Sequence, residues 1–196
     1  MLGTGLPPIM RVRDSGTFVW KKHGMSYRIT LERNTLRFSA AHFTTSSCGC
    51  EPLHGHNYDV LVEIRGALSS DSWVLDFVEA KRIIAGICKE LDHKFILAVR
   101  SPRLRIVERE GEYEISLGER RYVMPRGDVA ALPIDNSTAE RLAEWLAGRI
   151  AAEVTAAGGA NLEEISVGVE EAPGQTGWYT LALRPPRPRS KRATKQ

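Results

Sequence analysis

Residues 57–66 form the most regular pattern in the chain, because apolar and polar side chains alternate along them. The apolar positions are Tyr58, Val60, Val62 and Ile64, and the polar positions include Asp59, Glu63 and Arg65. Successive side chains of a strand point to opposite faces of a sheet, so this segment predicts a strand with one buried face. A similar alternation over Leu36–Phe43 predicts a neighbouring antiparallel strand.

Two amphipathic helices are predicted after these strands. Residues 76–91 carry apolar side chains at helical spacing, and Asp76 with Glu79 resembles a capping box at their start. A second helix is expected to begin at Ser137, whose hydroxyl caps it while Glu140 reaches back, and to end before a Gly-Gly pair. Both helices therefore have one apolar face to bury.

The remaining elements complete an α+β domain. Closing strands are predicted over about 164–171 and 177–183, and turn-forming glycines among alternating residues predict an inserted hairpin over 103–124. Segregated strands and helices favour an antiparallel four-stranded sheet with two helices on one face. Such a sheet leaves two free edges, which often indicates oligomerisation.

Length and composition exclude several classes of protein. The chain has 196 residues, three cysteines and no apolar run near the roughly 20 residues of a membrane helix, which excludes small disulfide scaffolds and disfavours a membrane protein. We expect a flexible N-terminus over residues 1–20, one domain over 21–184 and a disordered basic tail over 185–196. No secretion signal is evident, which favours the cytoplasm.

The basic tail accounts for the sign of the net charge. The formal charge is +3, of which +5 comes from residues 185–196, so the rest of the chain carries −2. This tail contains no aromatic residue that could stack on nucleic-acid bases, so nucleic acid is not the expected partner.

Three histidines suggest a metal site. His54 and His56 enter the alternating strand two residues apart and share a face, and an adjacent strand can add His42. Three imidazoles with one open position are typical of catalytic zinc. The alternative is a closed structural site that combines Cys48 and Cys50 with His54 and His56.

Other candidate residues lie further along the chain. Asp92-His93 follows the first helix, where a carboxylate can orient an imidazole for acid or base work or can simply cap the helix. Glu171 has the buried parity of its strand and needs a partner, either a ligand with paired N–H donors or a salt bridge. Cys88 lies on the apolar face of the first helix and is expected in the core.

Several short motifs, in order over about residues 27–183, resemble one known family. They are Phe-Ser-Ala-Ala-His42, Cys-x-Cys-Glu-Pro-Leu-His54-Gly-His56-Asn-Tyr, Asp76-Phe77, Leu-Asp92-His93-Lys, Ser-Thr138-Ala-Glu140 and Val-Glu-Glu171. Together they resemble the 6-pyruvoyltetrahydropterin synthase and 6-carboxytetrahydropterin synthase family.

The resemblance implies the tunnelling fold (T-fold), assembled as a homotrimer or homohexamer. It implies that His42, His54 and His56 bind Zn²⁺, and that Asp92 and His93 join a cysteine in proton transfer, often across a subunit boundary. It also implies 7,8-dihydroneopterin triphosphate as the substrate, with a role for zinc as a Lewis acid. Glu171, assisted by Thr138, would hold the pterin ring.

The resemblance leaves three bases open, and each is typical of a different product. Cys50 is spaced from His54 as in the 6-carboxytetrahydropterin synthases of queuosine and other deazapurine pathways, which we favour. Cys48 has the spacing of the 6-pyruvoyl enzymes of biopterin synthesis. Glu51 has that of the paralogues that form 6-hydroxymethyl-dihydropterin for folate.

Two departures from the family bear on substrate access. Arg141 follows Glu140 where the family usually has Asn, and the insert over 103–124 is longer than expected. A relative that binds pterin or metal without catalysis is the hypothesis from another class, since fold does not determine function.

Overall fold

The computed structural model describes residues 26–32 and 36–183. The predictions for residues 1–20 and 185–196 lie outside this range. In chain order the elements are β1 (Tyr27–Leu31), β2 (Arg37–His42), β3 (Thr45–Ser46), β4 (Gly49–Cys50), β5 (His54–Gly66), α1 (Phe77–Leu91), β6 (Lys94–Ala98), β7 (Arg105–Arg109), β8 (Glu112–Leu117), β9 (Arg120–Pro125), β10 (Val129–Leu132), α2 (Ala139–Ala156), β11 (Leu162–Ala172) and β12 (Gln175–Ala182), with a 3₁₀ turn at Arg126–Asp128.

The four predicted antiparallel strands are consecutive neighbours, β2-β5-β11-β12, in a larger sheet. Its order is β10-β6-β2-β5-β11-β12, and β1 pairs with the second half of β5 while β2 pairs with the first half. The strands β6 and β10 extend the sheet by parallel pairing, from β2 to β6 and from β6 to β10. Sequence pattern did not predict these two because both are short.

Both helices cover one face of this sheet, as predicted. On that face Tyr58, Val60, Val62 and Ile64 are fully buried, together with the apolar faces of α1 and α2. Cys88 belongs to this core, and burial raises the pKa of its thiol to about 12. Within the described residues neither helix combines the length and the apolar character that a membrane span requires.

One helix start was predicted correctly and the other was not. Asp76 caps α1, because its Oδ1 accepts the backbone N–H groups of Val78 and Glu79 at 2.6 and 3.2 Å. The cap of α2 is Thr138 and not Ser137. The Ser137 hydroxyl instead donates to the backbone carbonyl of Phe43 at 2.9 Å, a contact between distant parts of the chain.

The insert has one strand more than the predicted hairpin. The strands β7, β8 and β9 form an antiparallel sheet of their own, because turns at both Gly111 and Gly118 reverse the chain. Its side chains Tyr113 and Ile115 are buried in a second, smaller core with Phe43 and Phe95. The insert is thus attached to the chain that immediately follows β2.

Candidate metal centre and cleft

Three imidazoles meet where β2 ends and β5 begins. His42 and His54 are directly paired in the sheet, and His56 is two residues further along β5 on the same face. The ring centroids lie 4.7 Å apart for His42 and His54, 5.2 Å for His42 and His56, and 4.8 Å for His54 and His56. Strand pairing alone therefore brings the three rings together.

Backbone carbonyls orient two of the rings. The Nδ1 atom of His42 lies 2.8 Å from the carbonyl oxygen of Ser137, and that of His54 lies 2.8 Å from the carbonyl oxygen of Pro52. Nδ1 is then the protonated nitrogen, and Nε2 keeps its lone pair free for a ligand. Burial lowers the pKa of His42, which favours the neutral ring that a metal requires.

The ligand atoms of the three histidines fit a metal ion. The Nε2 atom of His42 is buried and has no hydrogen-bond partner within the described chain, which is costly unless something else binds it. One ligand atom from each of the three histidines lies within 4.8 Å of the others, so the group can hold a metal ion. In the described chain Cys48 and Cys50 are not members of this group, and the closed Cys₂His₂ alternative has no support.

A half-buried acid, Glu171, lies close to the imidazoles. Among the described residues, its Oε1 atom and the hydroxyl of Tyr58 are both buried without a hydrogen-bond partner. Burial raises the pKa of Glu171, and His56 acts in the opposite direction. Glu171 and His56 line a cleft of about 750 Å³ together with Thr176 and neighbouring residues. A ligand with N–H donors could satisfy the carboxylate there.

The three candidate bases lie on the hairpin β3–β4 and just after it. Cys48 is exposed in the turn, whereas Cys50 is partly buried, and its thiol donates to the carbonyl oxygen of Glu51 at 3.1 Å. Burial raises the pKa of Cys50, and the Arg120 guanidinium acts against that shift. These residues therefore differ strongly in their surroundings.

The imidazoles influence the pKa of Glu51. A hydrogen bond from the Thr44 side chain lowers the pKa of Glu51 most, and the nearby His54 and His42 rings lower it further. The carboxylate of Glu51 is therefore held in its ionised form close to the metal group. Sequence spacing could not indicate this influence on Glu51, because all three candidate bases lie within six residues of His54.

Asp92 and His93 form a pair at the end of α1. One carboxylate oxygen of Asp92 accepts the backbone N–H of Ser39 at 2.8 Å, which lowers its pKa, and the other lies 3.0 Å from His93 Nδ1. The backbone of His93 is in the left-handed region, with φ of 58°, which is uncommon for residues other than glycine. Its ring is exposed, with 83% of the side chain accessible.

Asp92 and His93 form no direct contact with the imidazoles among the described residues. His93 donates its backbone N–H to the Ser39 carbonyl and borders a surface depression that His56 and Asn57 also line. Over the described residues, no hydrogen bond or ring contact joins His93 to the three histidines. Sequence order predicted the contact between Asp92 and His93, but it could not show where this pair lies relative to the three histidines.

Thr138 lies at the start of α2, next to the residue that orients His42. Its hydroxyl accepts the backbone N–H of Arg141 at 3.5 Å, so the capping bond is weak and the hydroxyl remains partly available. The Arg141 side chain forms exposed ion pairs with Asp135 and Glu144. Arg141 is therefore engaged on the surface.

Sequence reasoning missed four residues that support the site. Ser137 orients His42, and the Tyr58 ring lies edge-on to His42 and His56. Arg120 donates to the backbone carbonyls of Cys50 and Glu51. Asn136 connects the segment before α2 to β3. The Asn136 amide donates to the Thr45 carbonyl and accepts the Thr45 N–H, both at 3.0 Å. An Asn-Ser-Thr run ahead of a helix is a capping signal, and it concealed these longer-range contacts.

Known proteins are similar to this chain in sequence and in fold. The family model described as 6-pyruvoyl tetrahydropterin synthase matches residues 23–182. A relative from Methanocaldococcus jannaschii, provisionally named 6-carboxy-5,6,7,8-tetrahydropterin synthase, is 37% identical over 149 residues, which are 76% of this chain and 91% of the relative. A Pyrococcus horikoshii relative with the same provisional name is 32% identical over 167 residues, 82% of this chain and 98% of its own.

A solved structure agrees with the sequence relatives. The 6-pyruvoyltetrahydropterin synthase of Plasmodium vivax superposes with a TM-score of 0.76 at 28% identity, covering 81% of this chain and 99% of its own. Two further structures of that enzyme carry replacements of a catalytic glutamate. The fold is thus the expected tunnelling fold, and the relatives support a tetrahydropterin synthase. The chain belongs to the 6-pyruvoyl tetrahydropterin synthase family.

Proposed function

We propose that this chain is a zinc-dependent 6-carboxy-5,6,7,8-tetrahydropterin synthase that acts on 7,8-dihydroneopterin triphosphate. The observation that carries the proposal is the buried Nε2 of His42, which has no hydrogen-bond partner among the described residues, within a three-histidine group close to the half-buried carboxylate of Glu171. The archaeal relatives named for the 6-carboxy product add support. Such a product would suit the synthesis of queuosine or another deazapurine.

The histidines would hold the metal and the acid would hold the ring. His42, His54 and His56 are the zinc ligands, and zinc when bound polarises a substrate hydroxyl as a Lewis acid. Glu171 accepts two N–H groups from the amino-pyrimidine edge of the pterin, a bidentate contact that its burial strengthens. Thr138 assists at the start of α2.

Protons are moved by Cys50, which follows the β3–β4 turn, and by His93, which follows the end of α1. Cys50 takes a proton from the substrate side chain, which starts the rearrangement that leads to loss of triphosphate. His93 receives or returns a proton through Nε2, because Asp92 occupies its Nδ1 at 3.0 Å. The lowered pKa of Asp92 keeps that carboxylate ionised and able to orient the ring.

A second product has one specific observation in its favour. Glu51 is held ionised beside His54 and His42, whereas burial raises the pKa of Cys50. The Plasmodium vivax enzyme has a catalytic glutamate. If Glu51 is the base here as well, the product is 6-hydroxymethyl-dihydropterin, the form that the resemblance links to a glutamate.

Mass spectrometry of the products decides between these candidates. Zinc-loaded wild-type protein, Cys50→Ala, Cys48→Ala and Glu51→Gln are incubated with dihydroneopterin triphosphate. The proposal expects a 6-carboxy product that Cys50→Ala abolishes and Cys48→Ala leaves intact. A 6-hydroxymethyl product that depends on Glu51, or a 6-pyruvoyl product that depends on Cys48, would replace it. Unchanged substrate with zinc and pterin bound would indicate a non-catalytic relative.

The active form is proposed to be a homotrimer or homohexamer. Across the described residues β10 and β12 are the outermost strands of the sheet, and each leaves one edge without a pairing strand. Pairing between subunits would remove these edges. Light scattering of the purified protein measures the assembly directly.

A further inference from the structure

One side chain of the inserted sheet forms hydrogen bonds to the segment that carries two of the candidate bases. Arg120 begins β9, and its Nη1 donates to the backbone carbonyl oxygens of Cys50 at 3.0 Å and Glu51 at 2.7 Å. These residues are about 70 positions apart in the chain. Arg120 therefore connects the insert to the loop that precedes His54.

Packing gives this connection a firm support. The Tyr122 ring, two residues after Arg120 on β9, stacks on Phe43 with centroids 5.3 Å apart and planes at 25°. Cys50 itself contacts the small core that includes Tyr113 and Ile115 of the insert. The strand that carries Arg120 thus has a defined position relative to the loop.

The neighbouring arginine shows what an ordinary surface residue does on this strand. Arg121 forms an ion pair with Glu114 on the adjacent strand at 3.1 Å. Arg120 forms no ion pair among the described residues. It donates instead to the backbone carbonyls of two candidate bases, Cys50 and Glu51. Its charge also opposes the rise in the pKa of the Cys50 thiol that burial causes.

We propose that Arg120 is a positioning residue, by which the inserted sheet holds the Cys50–Glu51 segment in place beside the histidine group. The inference rests on the proposed function for its catalytic consequence, and it holds whether Cys50 or Glu51 is the base. A base must lie within hydrogen-bond reach of the proton that it removes, and small displacements are costly. On this proposal, the insert positions the catalytic base.

The test compares Arg120→Met, Arg120→Lys and the matched control Arg121→Met in full-length, zinc-loaded protein. We expect Arg120→Met to lower kcat about 10-fold or more while KM for dihydroneopterin triphosphate and bound zinc stay unchanged, because the base and not the binding groups moves. Arg120→Lys, which keeps a donor, should recover part of the rate. Arg121→Met should match wild type.

Hydrogen exchange gives a readout that does not depend on turnover. The Glu51 amide donates to the Thr44 carbonyl at 3.1 Å, so its exchange reports how firmly the loop is held. We expect faster exchange over residues 44–53 in Arg120→Met but not in Arg121→Met, with β8 unchanged in both.

Several results would overturn the inference. They are equal kcat and equal loop exchange in the two methionine variants, a change confined to KM or zinc content, or faster exchange throughout the insert. If the wild-type protein does not turn over the substrate, the proposed function fails. Loop exchange then decides alone whether Arg120 holds the segment.

Discussion

On the proposed function, single residues of the site divide into those that hold a metal and those that move a proton. The Pro52 carbonyl orients the ring of His54, whereas Asp92 orients that of His93. We expect His54→Ala to lose both bound zinc and turnover. His93→Ala, the matched control, should keep its zinc and lose turnover about 100-fold or more, the contribution typical of one acid–base group.

Metal analysis and turnover of the same preparations check this division. Turnover by metal-free His54→Ala protein would contradict the zinc dependence. Loss of zinc from His93→Ala would show that the two groups of residues are not independent.

Glu171 illustrates a conflict between stability and binding at one position. Burial raises its pKa in the folded protein, so the folded state disfavours the ionised carboxylate. Stability from this group is therefore full below the unfolded pKa of about 4.3 and is lost as pH rises through the folded pKa. Glu171→Gln does not ionise, and we expect metal-free Glu171→Gln to become more stable than wild type as pH rises to 8.

Urea denaturation of both metal-free proteins between pH 4 and pH 8 measures the difference. The two should be similar at the acid end, and the gap should grow with pH. Pterin binding should move the other way, by about 10- to 100-fold weaker affinity, because a charge-assisted contact is lost. A wild-type protein as stable as Glu171→Gln at pH 8 would contradict the assigned burial cost.

At the scale of elements, the Asn136 amide connects the hairpin β3–β4 to the segment before α2. Asn136 bonds both backbone groups of Thr45 and also accepts the Ser137 N–H at 3.1 Å. We expect Asn136→Ala to lower the free energy of unfolding by about 1–3 kcal/mol, since it leaves partly buried backbone groups without partners. Ser46→Ala, on the exposed side of the same hairpin, should change it by less than about 0.5 kcal/mol.

Urea denaturation of the two variants measures these effects. Equal stabilities would mean that water replaces the Asn136 contacts at no cost. A loss of bound zinc in Asn136→Ala alone would further indicate that this connection helps to position the segment ahead of His54.

The elements whose information is local were predictable from sequence, and those that depend on distant contacts were not. Alternation at Tyr58–Ile64 predicted the central strand, and the same period placed His54 and His56 on the face of that strand that carries Tyr58. Asp76 was identified because a cap acts within three residues. Ser137 was misassigned because its partner, Phe43, is 94 residues away.

For the whole molecule, the arrangement of the site raises the question of which subunit supplies each part. The histidine group and Glu171 lie together, whereas His93 borders a surface depression that His56 also lines and, over the described residues, forms no hydrogen bond or ring contact with the three histidines. The sheet also leaves the outer edges of β10 and β12 unpaired over the same residues. Both observations are explained if an assembled ring of subunits places His93 of one copy beside the imidazoles of the next.

Mixing two inactive variants tests this arrangement. His54→Ala keeps His93 and His93→Ala keeps the metal group, so a boundary between them contains one complete site if the parts come from different subunits. After dissociation and random reassembly, about a quarter of the sites should be complete in a cyclic oligomer, and turnover should recover to about that fraction. His54→Ala mixed with His56→Ala is the control, because both changes affect the same part and no boundary becomes complete. Native mass spectrometry verifies that subunits have exchanged, and exchanged but inactive mixtures would place His93 with the histidines of its own subunit.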